Sequence, residues 1–398
     1  MSDLFPVIGQ FITDLLISIG IDAVITDILL TVIAAALLGS LVGLVALITI
    51  WAERKLLARI QDRIGPNRVG PYGLLQSFAD VLKLITKEFL IPSGADRYVF
   101  LMAPLVVVGG VIGLWAVMPL APGLAGADIN VGLLYIIAIG AIGTLGIIMA
   151  GLSSNNKYAM LGAFRTVAQM LSYTVPLLLA LLIPVMLAGS MGMTTIVEAQ
   201  SGTWFILLAP LAALIFFISS LAELGRTPFD LHEAESEIVA GFHIEYSGMG
   251  FGMFMMGEFV HAFTISALFA VIFLGGWQGP GVEAFPPLGF LYFLLKTVLV
   301  YFVIIWIRGT FPRIRIDQMN SFNWKFITPL ALAVLIVTAL VDKLAVENGF
   351  NRTAVLLASN AIIVLVTAFL VRAHAASLRR RTEATDRAPV QQAEAAAD

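Results

Sequence analysis

The chain has no cysteine among its 398 residues, and that absence removes several chemistries at once. Disulfides, thiolate zinc sites and Cys-ligated iron–sulfur clusters are excluded from it. Charge is scarce too. Only 12% of residues are charged, the formal net charge is −3 and the pI is near 5.8. Soluble domains carry about a quarter charged residues, and no basic surplus exists here for a nucleic-acid backbone to attract. The histidines are His232, His243, His261 and His374, and only His261 lies well inside an apolar stretch. A haem held by two histidines of this chain is therefore unsupported. No Walker-type Gly-Lys-Ser/Thr loop occurs, and the glycine run from Gly248 to Gly252 opens an apolar stretch rather than following a strand.

What is present is apolar: 59% of the chain, with a mean hydropathy of +0.96. A hydrocarbon core about 30 Å thick needs roughly 20 such residues per helix. Runs of that length fall near 25–51, 98–120, 130–152, 167–189, 203–222, 249–275, 288–307, 326–345 and 353–373. The expected fold is an all-α polytopic membrane protein with about nine transmembrane helices, since a barrel would show short alternating segments instead. Twenty of the basic residues fall in alternate loops and the tail, against Lys343 and Arg352 on the other side. That asymmetry puts the amino terminus outside and the carboxyl terminus in the cytoplasm. Residues 1–24 lack a basic start and read as a short external interfacial helix rather than a signal peptide. Residues 1–376 read as a single membrane domain and 377–398 as a disordered cytoplasmic tail.

With so few charges, their positions carry the information. The first cytoplasmic loop, 52–97, holds two Gly-Pro steps between Arg63 and Gly73 that fix a turning backbone. Leu74, Leu75, Phe78, Val81, Leu82, Ile85 and Phe89 then recur at helical spacing, with Asp80, Lys83, Lys87 and Glu88 largely between them. This is an amphipathic helix in the interface plane. It serves either as a positive-inside anchor or as a floor at headgroup depth under which an amphiphile slides from the bilayer. The loop 223–248 carries Glu223, Asp230, Glu233, Glu235, Glu237 and Glu245 against the single Arg226. It reads either as a solvated acidic loop or, because Val239, Phe242 and Ile244 interleave, as crowded half-buried carboxylates that exchange protons. Glu258 lies about ten residues into an apolar span with His261 one turn on. A charge at such depth costs at least ~2.5 kcal/mol, so it faces a partner, a cavity or water, or stays protonated. Lys296 is a second intramembrane charge.

These segments carry a resemblance. Glu53-Arg54-Lys55, Ile64–Gly73 (IGPNRVGPYG), Phe78–Glu88 (FADVLKLITKE), Ser154–Gly162 (SNNKYAMLG), Arg226–Leu231 (RTPFDL), Glu235–Tyr246 (ESEIVAGFHIEY) and Arg308–Met319 (RGTFPRIRIDQM) resemble the H-subunit family of NADH–quinone oxidoreductase, respiratory complex I. The resemblance implies a non-redox membrane subunit that joins a quinone-reducing peripheral arm to proton pumps. By position it assigns Arg54, Arg63, Asp80, Val81, Glu88, Met255 and Phe259 to a quinone-entry chamber. Glu223, Asp230, Glu233, Glu235, Glu237, Glu245 and Glu258, joined by His261, form a proton path. Arg226, Arg308, Arg313, Arg315 and Lys296 tune those charges or dock partners. FMN and iron–sulfur clusters belong to partner subunits, quinone is the substrate, and this chain holds no metal or cofactor of its own. The expected partners are the quinone-site and iron–sulfur peripheral subunits, together with small membrane subunits leading to antiporter-like ones. The expected location is a bacterial plasma (inner) membrane. One departure stands out: the family commonly has a glutamate after the Ser-Tyr of the fourth span, where Ser172-Tyr173 is followed here by Thr174.

Three other readings of the residues are a stand-alone cation or proton transporter, the membrane anchor of a membrane-bound hydrogenase or another electron-input enzyme, and a passive scaffold. The long structured loops favour docking over the first, and segment 64–88 favours quinone over the second.

Overall fold

The computed structural model describes residues 13–14, 17–18, 22–231 and 239–395. Its elements, in order, are α1 (Ala23–Ile60), α2 (Gln76–Thr86), α3 (Arg97–Leu114), α4 (Gly132–Ser153), α5 (Lys157–Ala188), α6 (Met193–Glu198) and α7 (Phe205–Leu208). There follow α8 (Pro210–Glu223), α9 (Gly248–Phe273), α10 (Pro287–Thr310), α11 (Ile316–Phe322), α12 (Thr328–Glu347) and α13 (Arg352–Ala395). The fold is all-α, and among the described residues eight helical segments are long and apolar enough to cross a membrane. Helices dominate because a bilayer core offers no water to backbone amides, so each span must pair its own.

The expected fifth span, 203–222, is instead two pieces. α7 and α8 break at Ala209, whose φ of −138° and ψ of 63° are not helical. Pro210 is the cause, since it disfavours helical backbone at the residue before it. Asn360 of α13 donates from Nδ2 to the carbonyl of Leu208 at 3.3 Å, next to the break. Two prolines inside intact helices are handled in the same way. Pro104 and Pro176 cannot donate to the carbonyls four residues back, Phe100 and Ser172. The Tyr246 hydroxyl donates to Phe100 at 3.0 Å, and Asn323 Nδ2 donates to Ser172 at 2.6 Å. Burial pushes the Tyr246 phenol up to about 12, so it stays a donor at neutral pH.

Two helices outrun their apolar stretches. α1 continues to Ile60, past the expected end at 51, and α5 starts at Lys157 rather than near 167. Asn156 caps α5 by accepting from the Tyr158 amide, and Gly189 ends it at φ 69°. At the other end of the chain, α13 continues as helix to Ala395, where a disordered tail from 377 is expected. Ala, Glu, Arg and Gln, which fill that segment, are good helix formers. The external interfacial helix expected over 1–24 lies largely outside the described residues.

At the centre is α9, buried at every residue from Ala262 to Phe273 and packed against α3, α10 and α1. α3 and α4 lie side by side. A Cβ on Gly146 would fall 2.5 Å from Val107 Cγ2 and 3.1 Å from the Ala103 carbonyl. That glycine lets the two backbones approach, as helix packing in lipid requires. α1, by contrast, leaves Val24, Ile28, Val32, Leu37 and Leu44 exposed on its outer side.

Candidate functional site

The extension of α1 sets the site. Val42, Ala46, Thr49 and Glu53 recur at helical spacing on its inward face, and all four are buried. Glu53 is only 2% exposed and needs cations. Arg226 supplies one from the turn that follows α8. Gln169 of α5 pins that turn, donating from Nε2 to the carbonyls of Ala222 and Phe229 at 2.7 Å each. The turn contains a cis peptide at Thr227-Pro228. Arg226, itself 2% exposed, reaches both Glu53 oxygens from Nη1 at 2.6 Å. Its Nε lies 3.3 Å from Glu258 Oε1, and its guanidinium carbon sits 4.8 Å from the centre of the Phe259 ring. Arg308 of α10 pairs with Glu53 Oε1, and the Tyr301 hydroxyl donates to Oε2 at 3.3 Å. Two carboxylates thus face two guanidiniums, which balances charge in a region where an unpaired ion would cost several kcal/mol, about 3–5 for a broken buried pair.

Beside the cluster lie two cavities. One of about 70 Å³ is lined by Glu223, Glu258 and His261 with Met255, Phe242 and Phe254. That volume exceeds the roughly 10–15 Å³ a single water needs. The other, about 400 Å³, runs between α4, α5 and α9 past Thr144, Thr174 and Thr264. Glu223 and His261 line both cavities, and Glu258 of the ion-pair cluster lines the smaller one.

Beyond the end of the first apolar run, α2 is tied to α1. Arg54 Nη1 donates to Asp80 Oδ2 at 2.5 Å, with Gln76 at 3.3 Å and Lys83 at 3.7 Å from Oδ1. Asp80 and Val81 are half-buried while Phe78, Leu82, Lys83 and Ile85 are exposed, so Val81 parts from the apolar residues with which the periodicity groups it. A slot of about 310 Å³ separates Leu84, Ile85 and Phe89 from Leu101 of α3 and from Met249 and Met253 of α9. Arg63 lies in an open recess with Arg54 and Arg68, and Glu88 is exposed.

The remaining residues singled out in the sequence are distributed. Asp230 pairs with Arg313 Nη2 at 2.9 Å, Glu245 accepts from Asn156 Nδ2 at 2.6 Å, and Arg315 is exposed. Glu233, Glu235 and Glu237 lie outside the described residues. Met255 lines the small cavity rather than the slot under α2. Lys296 stands apart from the cluster. Its ammonium donates to the carbonyls of Leu274, Gly276 and Gln278 at 2.7, 3.0 and 2.8 Å and lies over Trp204, capping the far end of α9. Among the described residues no three His, Asp or Glu side chains converge in a metal-binding group. Tyr301 and Gln169 are site residues outside every motif of the sequence, and Glu53 lies in one of those motifs with no role assigned to it. The spacing from Val42 to Glu53 is the signal that finds Glu53.

A family model described as NADH dehydrogenase matches residues 32–339. The H subunit of NADH-quinone oxidoreductase from Dehalococcoides mccartyi (strain CBDB1) is 49% identical over 318 residues, 80% of this chain and 88% of the relative. The H subunit from Geobacillus kaustophilus is 50% identical over 293 residues, 73% of this chain and 88% of its own. In Geobacter sulfurreducens, the H subunit numbered 2 is 48% identical over 312 residues, with coverages of 76% and 93%. The matched region contains α1 from residue 32 to Ile60, α2, the Arg226 turn and all of the ion-pair cluster. The chain therefore belongs to the NADH dehydrogenase family, among the membrane-embedded H subunits of NADH–quinone oxidoreductase.

Proposed function

We propose that this subunit lines the chamber through which quinone enters the oxidoreductase and converts quinone chemistry into movement of protons along its carboxylates. The observation that carries this reading is the buried Glu53–Arg226–Glu258–Arg308 cluster, which joins the basic-side end of α1 to a cavity lined by Glu223, Glu258 and His261. The chain supplies no redox centre. It binds, orients and relays charge while flavin and iron–sulfur chemistry belongs to partner subunits.

In this reading the quinone headgroup arrives over α2, between Arg54, Arg63, Asp80, Val81 and Glu88 on one side and the face of α9 with Phe259 on the other. A unit charge gained or lost there, about 8 Å from a carboxylate and at an effective dielectric of ~20, changes that carboxylate's proton affinity by about 2 kcal/mol. That exceeds one pKa unit and is enough to move a proton. Glu258 is the first carboxylate inside the membrane to respond, because Arg226 couples it to Glu53. Glu223 and His261 pass the change onward, and the hydroxyls of Thr144 and Thr174 support a water-borne continuation. Asp230, Glu233, Glu235, Glu237 and Glu245 feed the same path from the basic side, with Arg226, Arg308, Arg313 and Arg315 setting their charge. That side is cytoplasmic in a bacterial plasma membrane. The peripheral quinone-site and iron–sulfur subunits dock there, and the small membrane subunits leading to antiporter-like pumps lie beside the spans.

A photoreactive quinone analogue added to the assembled enzyme tests the entry route. Label is expected on α2 and on the first half of α9, and label confined to other segments contradicts it. Glu235→Gln and Glu237→Gln should each lower coupled turnover with assembly intact. Wild-type turnover and pumping in both would remove the loop acids from the path.

A further inference from the structure

We infer that the open recess beyond the end of α1 is a binding site for the phosphate of an anionic phospholipid. The recess, about 860 Å³, is lined by Arg54, Arg63, Arg68, Asn67 and Gln76 with the backbone from Ile64 to Pro66, and its lining contains three arginines and no carboxylate. Arg54 is shared with Asp80, and Arg63 donates from Nε to Gln61 Oε1 at 2.8 Å. Arg63 and Arg68 are both solvent-exposed, so their guanidiniums remain accessible to an anion.

Depth and surroundings identify the anion's source. α1 has 38 residues, about 57 Å at 1.5 Å per residue, which is more than a hydrocarbon core about 30 Å thick can contain. With the apolar run ending near Trp51, its basic end and the loop after it stand outside the hydrocarbon core, on the polar side. Apolar side chains flank the arginines: Ile64 is 81% exposed, and Val69, Leu74, Leu75 and Phe78 are also exposed. A phosphodiester carrying acyl chains matches a basic recess set beside apolar surface. An acidic peptide would neutralise the arginines and leave that apolar rim uncovered. Arginine's planar fork suits phosphate oxygens bidentately, and basic pockets on the cytoplasmic side recognise anionic headgroups. Arg54 and Arg63 are shared with the proposed quinone-entry chamber, whereas Arg68 belongs to the recess alone and separates lipid binding from quinone entry.

The test uses the assembled complex, washed in phosphatidylcholine and detergent, with the remaining phospholipid quantified by mass spectrometry. Wild type should retain phosphatidylglycerol. Arg68→Gln should retain about fivefold less, corresponding to ~1 kcal/mol per basic side chain at the surface, and Arg68→Lys should fall between them. Arg68 is exposed and outside the ion-pair cluster, so assembly should persist. Equal retention in all three proteins overturns the site. Displacement of the lipid by inorganic phosphate alone would make the ligand free phosphate and overturn the lipid source. A photocrosslinker placed at position 67 that captures a protein rather than lipid would assign the recess to a partner and overturn it as well. Quinone reductase activity, measured on the same samples, reports separately on the entry chamber.

Discussion

Glu53 accepts from Arg226, Arg308 and Tyr301 in a region nearly closed to solvent. Removing one partner there is more damaging than removing a pair, because the surviving ion keeps its desolvation cost. Arg226→Met should therefore destabilise the subunit by about 3–5 kcal/mol, read as loss of assembled complex. Adding Glu53→Gln to that variant should recover part of the loss, since it rebalances the charge. A double variant no better than the single one would mean that the cluster is not electrostatically coupled. Sequence motifs pointed to Arg226 and Glu258 because they are charges in conspicuous places. Glu53 looked like part of a basic loop, because hydropathy falls at 51 although the helix does not end there. Its role was still legible from the recurrence of Val42, Ala46, Thr49 and Glu53 on one face.

Helices in this molecule are broken or weakened by their own prolines and held by groups from other segments. Tyr246 and Asn323 each take a carbonyl that a proline has left without a donor. Tyr246→Phe or Asn323→Leu should each cost about 1–3 kcal/mol, measured as a lower melting temperature of the purified complex. An unchanged melting temperature in both would mean that the freed carbonyls find water. Lys296 makes the same point at the far end of α9, where three carbonyls take its ammonium protons. Lys296→Met is expected to lower thermal stability while turnover per assembled complex stays near wild type. Lost turnover at normal stability would return Lys296 to the charge-relay group. The sequence shows that a lysine lies in a span but not which helix end it reaches, since that depends on how α9 and α10 pack. The break at Ala209 was visible as Pro210, but a hydropathy average spans it and reports one helix.

At the scale of the whole molecule, composition alone separates this chain from soluble enzymes and nucleic-acid binders, and the long motif-bearing segments lead to its family. Those segments surround the buried cluster, so the strongest sequence signal and the densest polar packing coincide. The cavities were not legible, because empty space between α4, α5 and α9 arises only from three-dimensional packing. The central claim is that carboxylates beside this cluster couple quinone reduction to proton transfer. The most direct measurement places the enzyme carrying Glu258→Gln, and separately Glu223→Gln, in sealed proteoliposomes and follows NADH oxidation and internal pH together. Quinone-dependent turnover and proton uptake should fall together by roughly tenfold, about 1.4 kcal/mol in barrier terms, while electron transfer from NADH to a soluble acceptor that bypasses quinone stays at the wild-type rate. Wild-type turnover with an unchanged number of protons moved per quinone in both variants would contradict the account.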